Sequence, residues 1–250
     1  MTFVRGALAG MAALLLGGAA QAAPPFPDAQ ATDPVALGWM VGSPPPAERT
    51  IRFEDGGFLK LPQLRWTFSH WRELFPTAVV WRGPGPVSEL PPAPREDLDA
   101  VSFTPLGGGA AMTWGQSLAA NYTDGILVMH RGKVVYERYF GALKPEGTHI
   151  AHSVTKSFVG TIAAMLVAEG KLDPDALVTR YIPELAGSAF GDATVRQVLD
   201  MTTGLEYSEV YTDPKSPAWD FVRAVGLLPR PPGYSGPTTS YDYLKTLKKA

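Results

Sequence analysis

The sequence predicts an α/β fold of the α+β type, in which helices flank an antiparallel sheet and a helical lobe is inserted. Two observations carry this prediction. Two β-forming runs joined by a tight turn indicate a hairpin at 126–139, and segments with helical periodicity follow it. The 250 residues are 45% hydrophobic and 18% charged, which is typical of a globular protein. The net charge of -2 lacks the basic excess of a nucleic-acid footprint.

The first 22 residues have the pattern of a signal peptide. Arg5 gives a positive start, residues 7–16 are apolar but too short for a stable membrane anchor, and Ala20-Gln21-Ala22 is a small-x-small cleavage pattern. The alternative is a buried N-terminal helix, which the position and the cleavage pattern disfavour. We therefore expect cleavage after Ala22 and a secreted or periplasmic protein without membrane association. The lack of cysteine excludes disulfides in this chain.

Residues 23–110 form a Pro- and Gly-rich N-terminal extension. Residues 23–48 predict an extended surface arm or a partly ordered leader. Residues 51–61 predict a short hairpin around Asp55-Gly56-Gly57, and residues 83–110 a linker. Residues 64–83 interleave aromatic residues with arginines. This pattern fits nucleic-acid stacking or buried rings beside arginine–carboxylate pairs, and the acidic net charge favours buried rings.

Residues 111–250 carry the regular elements of the predicted domain. The runs 126–130 and 134–139 flank Arg131-Gly132-Lys133, where the glycine allows a tight hairpin turn. Residues 153–169 have apolar side chains at helical spacing, and Gly170 follows where a C-terminal cap belongs.

Two further helix starts are predicted downstream. Asp173-Pro174 fits an N-cap followed by proline at the first helical position. Thr194 and Gln197 have the spacing of a capping box, with helical apolar residues after them. These segments supply the helical lobe.

Ser153 and Lys156 form the pattern that points to chemistry. A serine hydroxyl needs an adjacent base to become a nucleophile. Residues three apart on a helix lie on one face, roughly 5–6 Å apart at Cβ, so the Lys156 amine can reach the Ser153 oxygen. Burial and the positive end of the helix dipole favour a neutral amine that accepts a proton. The backbone N–H of Ser153 can donate to a developing oxyanion.

A Ser-x-x-Lys tetrapeptide alone is weak evidence, since it arises about once by chance in a chain of this length. The alternative is a helix N-cap serine beside a surface lysine. Three features favour the catalytic interpretation: the pattern follows a hairpin, it begins an apolar helix whose first turn we expect to be buried, and it lies in a chain with an export signal.

The residues around this pattern resemble the serine β-lactamase and penicillin-binding-protein superfamily, in a class C-like branch that includes 6-aminohexanoate-dimer hydrolases and related esterases. The resemblance rests on these segments: Ala151–Gly170 with Lys171-Leu172-Asp173, Asp192–Leu205 with its Thr203-Gly204-Leu205 turn, and Gly38-Trp39-Met40, Arg65-Trp66 and His70–Glu73 in the extension.

The resemblance implies a β-lactamase/transpeptidase-like fold and a hydrolase of small amides or esters. It assigns Ser153 as the acyl-enzyme nucleophile and Lys156 as its base. It places a substrate-contacting tyrosine at Tyr211, with Tyr207 as the competing candidate, although an ordinary loop tyrosine is equally compatible with the position. It implies no cofactor and no metal.

Two family elements have no match here. A Tyr-x-Asn element would need an asparagine after Asn121. The Lys/His-Thr/Ser-Gly strand is also absent, because Lys245-Thr246-Leu247 has leucine where glycine is needed and lies too early in the chain. The resemblance therefore predicts that the chain is an N-terminal part whose C-terminal strands are missing. As such a fragment it is expected to be poorly folded and nearly inactive, while the complete protein is a hydrolase.

Other function classes fit less well. His149 and His152 lie three apart but lack the carboxylate pattern of a metal hydrolase. Residues 115–119 nearly match the Gly-x-Ser-x-Gly of an α/β-hydrolase, but end in alanine and follow no predicted strand. A catalytically inactive binding or sensor member of the same superfamily is the remaining alternative.

Overall fold

The computed structural model describes residues 27–250. The predicted signal peptide and its cleavage after Ala22 lie outside the described residues. The described residues combine helices with antiparallel strand pairs, as the fold-class prediction requires.

The helices and strands of the described residues are short. The α-helices are α1 (Leu64–Thr67), α2 (Trp71–Leu74), α3 (Trp114–Ala120), α4 (Thr155–Ala168), α5 (Val195–Leu199), α6 (Pro217–Ala224) and α7 (Ser240–Leu244). The strands are β1 (Ser102–Phe103), β2 (Met112–Thr113), β3 (Gly125–His130) and β4 (Lys133–Tyr139). Single 3-10 turns occupy Ala47–Arg49, Gly57–Leu59, Leu98–Ala100, His152–Val154, Val178–Arg180 and Pro183–Leu185.

The predicted hairpin at 126–139 is confirmed. β3 and β4 pair antiparallel from Gly125↔Tyr139 to His130↔Lys133. Arg131 and Gly132 both have positive φ at the turn, which a two-residue hairpin of the primed type requires. The N-terminal extension also contacts this sheet, since the Ala93 N–H donates to the Val134 carbonyl at 2.8 Å. The β1–β2 pair spans residue 110, so the extension and the following residues share backbone hydrogen bonds.

The prediction of an extended arm before residue 48 is wrong for the described part. Residues 28–40 instead form consecutive turns, in which the Thr32 N–H donates to the Asp28 carbonyl at 3.1 Å and the Leu37 N–H to the Asp33 carbonyl at 3.0 Å. Asp28 and Asp33 also accept backbone N–H groups two residues on. Aspartate side chains stabilise such turns locally. The prediction of an extended arm rested on the proline content of the segment and did not take these aspartates into account.

The first hydrophobic core is an aromatic cluster in the extension. Phe58 is fully buried, and its ring lies 5.4 Å from the rings of both Phe53 and Phe75. The predicted hairpin at 51–61 is wrong, because Gly56 adopts φ +66° and a 3-10 turn follows it. That turn directs Phe58 into the cluster, where burying its side chain contributes about 1.5–3 kcal/mol.

The second hydrophobic core lies in the helical lobe. Its buried members are Val178, Leu185, Ala189, Phe190, Ala193, Ala224, Tyr243 and Leu247. The helix predicted at Asp173-Pro174 is wrong: the Asp173 carboxylate accepts the Asp175 N–H at 3.0 Å, and Leu177 then bridges to Thr194. The Val178 N–H donates a hydrogen bond to the Ala193 carbonyl at 2.8 Å, so the chain is extended at this point and does not begin a helix.

The predicted capping box at Thr194 is confirmed. The Thr194 hydroxyl accepts the Gln197 N–H at 3.2 Å, and the Gln197 side chain accepts the Thr194 N–H at 2.9 Å. These bonds satisfy N–H groups that the first turn of α5 leaves without a helical partner.

Replacing Thr194 with alanine is expected to lower the free energy of unfolding by about 1 kcal/mol, because one capping acceptor is lost. Urea unfolding followed by circular dichroism measures this change. Thr212→Ala is the matched control, since Thr212 is an exposed loop residue. Equal stability of the two variants would contradict the prediction.

Among residues 27–250, no helix combines the length and the apolar character needed to cross a bilayer.

Candidate active site

Ser153 and Lys156 meet at the start of α4. Ser153 lies in the 3-10 turn His152–Val154, and Lys156 is the second residue of α4. The Lys156 Nζ lies 2.9 Å from the Ser153 Oγ, within hydrogen-bond distance. The structure therefore brings together the two side chains that the sequence singles out.

The backbone before Ser153 is held by aromatic residues of the extension. The Ile150 N–H donates to the Phe68 carbonyl at 2.9 Å. The His152 ring lies 5.0 Å from the Phe68 ring and 6.3 Å from the Trp71 ring, both edge to face. His152 has φ +43°, a conformation that costs a non-glycine residue roughly 1–2 kcal/mol. These contacts offset that strain and fix where the turn begins.

The expected burial of this first turn is wrong. Ser153 and Lys156 are exposed, and so are most apolar residues of α4, with Phe158 at 67% exposure. The α4 residue that is buried is Ala163. The reason lies in the packing: the two hydrophobic cores of the described residues form around 51–75 and 178–247, and neither includes a residue of α4.

The two candidate substrate tyrosines lie in other surroundings. Tyr211 is 55% exposed, and its ring lies 5.6 Å from that of Trp219. The lining of the cleft beside it, about 310 Å³ in volume, includes neither Ser153 nor Lys156. Tyr207 packs against the second core, and burial together with the nearby Glu209 carboxylate raises its pKa to about 12.

The pKa of Tyr211 is also raised, first by burial and then by Glu209. Both tyrosines are therefore protonated near neutral pH and can act as hydrogen-bond donors.

A second cluster of charged side chains lies just before the nucleophile turn. The Asp124 carboxylate lies 3.3 Å from Nη2 of Arg65 and 3.2 Å from Nε2 of His149. The side chains of Arg65 and Asp124 are only 5% and 10% exposed. The sequence pattern predicted carboxylate partners for the arginines of residues 64–83 but did not identify which carboxylates they are. It indicated that His149 is a loop residue. An arginine next to a tryptophan in an aromatic stretch was the available signal for a buried ion pair.

In the part of the chain that the structure describes, no group of three or more histidine, aspartate or glutamate side chains is placed to hold a metal ion.

Comparisons with known proteins identify the family. Residues 116–244 match the beta-lactamase family. The chain is 37% identical over 187 residues to a 6-aminohexanoate-dimer hydrolase from Paenarthrobacter ureafaciens, covering 75% of this chain and 45% of the relative. It is 42% identical over 53 residues to a beta-lactamase from Providencia stuartii, covering 21% of this chain and 14% of that one.

A solved structure from Bacillus anthracis, assigned as a 6-aminohexanoate-dimer hydrolase, is similar with a TM-score of 0.72 and 31% identity. The match covers 82% of this chain and 53% of that structure. The chain thus spans about half the length of the two hydrolases named for the aminohexanoate dimer. Since the family match includes the hairpin, α4 and the helical lobe, the chain belongs to the beta-lactamase family.

Proposed function

We propose that the chain performs the acyl-transfer step of a serine hydrolase, with Ser153 as nucleophile and Lys156 as its base. The observation that carries the proposal is the 2.9 Å contact between Lys156 Nζ and Ser153 Oγ at the start of α4. The contact lies inside the part of the chain that matches the beta-lactamase family.

The proposed reaction begins with a neutral Lys156 amine. The Ser153 Oγ attacks the substrate carbonyl carbon while its proton passes to Lys156 Nζ. The carbonyl oxygen becomes anionic, and the Ser153 backbone N–H donates to it. The bond to the leaving amine or alcohol then breaks, and the leaving group takes the proton from Lys156. Water hydrolyses the resulting ester on Ser153 and restores the hydroxyl.

The proposed substrates are small amides or esters. The names of the two longer relatives refer to the dimer of 6-aminohexanoate, which is a linear amide. Tyr211 is the proposed substrate contact, because its ring is exposed and it stands in a cleft with Trp219. Tyr207 is the weaker candidate, since its ring packs against the second core. Acyl transfer of this kind uses side chains and backbone, so we propose no cofactor.

A binding or sensor role is the second candidate, and the exposure of the site favours it. An ammonium on Lys156 donating to Ser153 Oγ would give the same 2.9 Å contact without catalysis. Exposure weakens the desolvation that would favour the neutral amine. Reactivity of Ser153 separates the two candidates.

The test is covalent labelling with a fluorophosphonate, which phosphonylates activated serines with loss of fluoride, followed by peptide mass spectrometry. The folded chain is expected to carry one label on Ser153, and the chain in concentrated urea none. Ser157 is an internal control, because it is an exposed serine four residues on, in the first turn of α4. No label, or equal labelling of Ser157 and Ser153, would overturn the proposal.

A further inference from the structure

His149 has an arrangement that fixes its protonation state. Its Nε2 lies 3.2 Å from the Asp124 carboxylate, and its Nδ1 lies 3.0 Å from the Ile150 carbonyl oxygen. Both oxygens only accept hydrogen bonds, so both ring nitrogens must donate. The doubly protonated imidazolium is the form that satisfies both contacts.

The carboxylate that holds His149 is itself fixed from behind. Arg65 Nη2 lies 3.3 Å from Asp124, and Arg65 Nη1 donates to the Ala29 carbonyl at 2.5 Å and to the Thr32 hydroxyl at 3.2 Å. With Asp124 buried between two cations, its negative charge is compensated from both sides. The extension, the start of β3 and the loop before Ser153 are thereby joined through one carboxylate.

This connection reaches the nucleophile over a few residues of backbone. Ile150, whose carbonyl accepts from His149, also donates its N–H to Phe68, and the 3-10 turn holding Ser153 begins at His152. Lys156 lies on the regular helix α4, whereas Ser153 lies on the turn before it. A shift of the loop therefore changes the distance from Ser153 Oγ to Lys156 Nζ.

We propose that His149, held by Asp124 and Arg65, is a positioning residue that keeps Ser153 within reach of Lys156. This proposal rests on the proposed function, because His149 would affect the rate at which Ser153 is acylated although it is neither the nucleophile nor the base. His149 is 34% exposed beside an open cleft of about 530 Å³, so solvent protons can reach its ring.

The charge state gives this arrangement a pH dependence. The hydrogen bond that His149 donates to Asp124 is the largest of the effects that raise the pKa of His149 above its ordinary value. A raised pKa means that the stabilisation is fully present below the ordinary histidine pKa and is lost as the pH rises through the raised value. The other titratable groups near His149 are Asp124 immediately before β3, Arg65 on α1, and the phenols Tyr122 and Tyr139 in the cleft. His152 also lies nearby, and burial and the charge of His149 lower its pKa.

The test compares the wild-type chain with His149→Gln, using the rate of fluorophosphonate labelling of Ser153 between pH 5 and pH 9. Below the raised pKa the variant is expected to react about 10–100-fold more slowly, since small misplacements of reacting groups have effects of this size. The ratio of the two rates should approach one as the pH rises. His130→Gln, an exposed histidine at the β3–β4 turn, is the matched control with a ratio of one throughout.

A second readout, amide hydrogen exchange of residues 149–154, does not depend on catalysis. His149→Gln is expected to speed exchange at the Ile150 amide at low pH, and His130→Gln is not. Unchanged exchange together with a pH-independent rate ratio would overturn the positioning role. Faster exchange in a chain whose Ser153 never reacts would instead support positioning of the loop and refute the proposed hydrolase function.

Discussion

Replacing Ser153 with alanine is expected to abolish covalent labelling by the fluorophosphonate and to lower ester hydrolysis on the order of 10⁴–10⁶-fold, the range found for loss of a member of a serine catalytic unit. The physical reason is that the bond-forming oxygen is removed, and a neighbouring hydroxyl cannot replace it. Ser157 directly follows Lys156 on α4, and consecutive helix residues do not face each other, so Ser157 cannot occupy the position of Ser153 relative to Lys156.

Ser157→Ala is the matched control for this experiment, and it should retain the acylation rate of the wild-type chain within a factor of about two, because substitutions at exposed sites usually have small effects. The measurement is the second-order rate constant for fluorophosphonate labelling, with circular dichroism to show that both variants are equally folded. If Ser153→Ala and Ser157→Ala lose labelling to the same extent, the assignment of the nucleophile is wrong.

Replacing Lys156 with methionine is expected to slow acylation of Ser153 by about 10²–10⁴-fold, the usual contribution of a general base. Methionine keeps the length and the helix propensity of the side chain but cannot accept the serine proton. Lys156→Arg is expected to be nearly as slow, because arginine keeps the positive charge and cannot be deprotonated in a protein. The two variants together separate proton acceptance from charge.

Lys171→Met serves as the control for Lys156→Met. Lys171 lies just after the C-terminal end of α4, far from Ser153 in the chain, and its Nζ lies 2.7 Å from the Glu169 carboxylate. Its acylation rate is expected to equal that of the wild-type chain. Wild-type rates in Lys156→Arg would show that Lys156 acts through its charge and would contradict its role as base.

Local signals in the sequence predicted the elements whose stability is local. The β3–β4 hairpin follows from two β-forming runs around Gly132, and the start of α5 from the reciprocal bonds of Thr194 and Gln197. Gly170, with φ +69°, ends the segment that contains α4 as predicted. These features depend on residues within a few positions of each other, where propensity and capping decide the conformation.

Tertiary contacts decided the features that the sequence missed. Phe58 is buried in an aromatic cluster, which replaced the expected strand pair, and the bridge from Leu177 to Thr194 replaced the expected helix start. In the site, the Ser153–Lys156 spacing was readable because it follows from helix geometry. The pairing of Asp124 with Arg65 and His149 was not, because it joins residues 59 and 25 positions apart in the chain.

The exposure of the Ser153–Lys156 pair has a consequence for the fate of an acyl group bound there. A closed site excludes competing nucleophiles by its shape, whereas an open one leaves the ester carbonyl accessible to any small molecule in solution. Water and dissolved amines would therefore share the acyl group according to their concentrations and intrinsic reactivities. The composition of the solution would then set the ratio of hydrolysis to aminolysis of the ester on Ser153. Added amines of increasing basicity would increase the amide product at the expense of the acid.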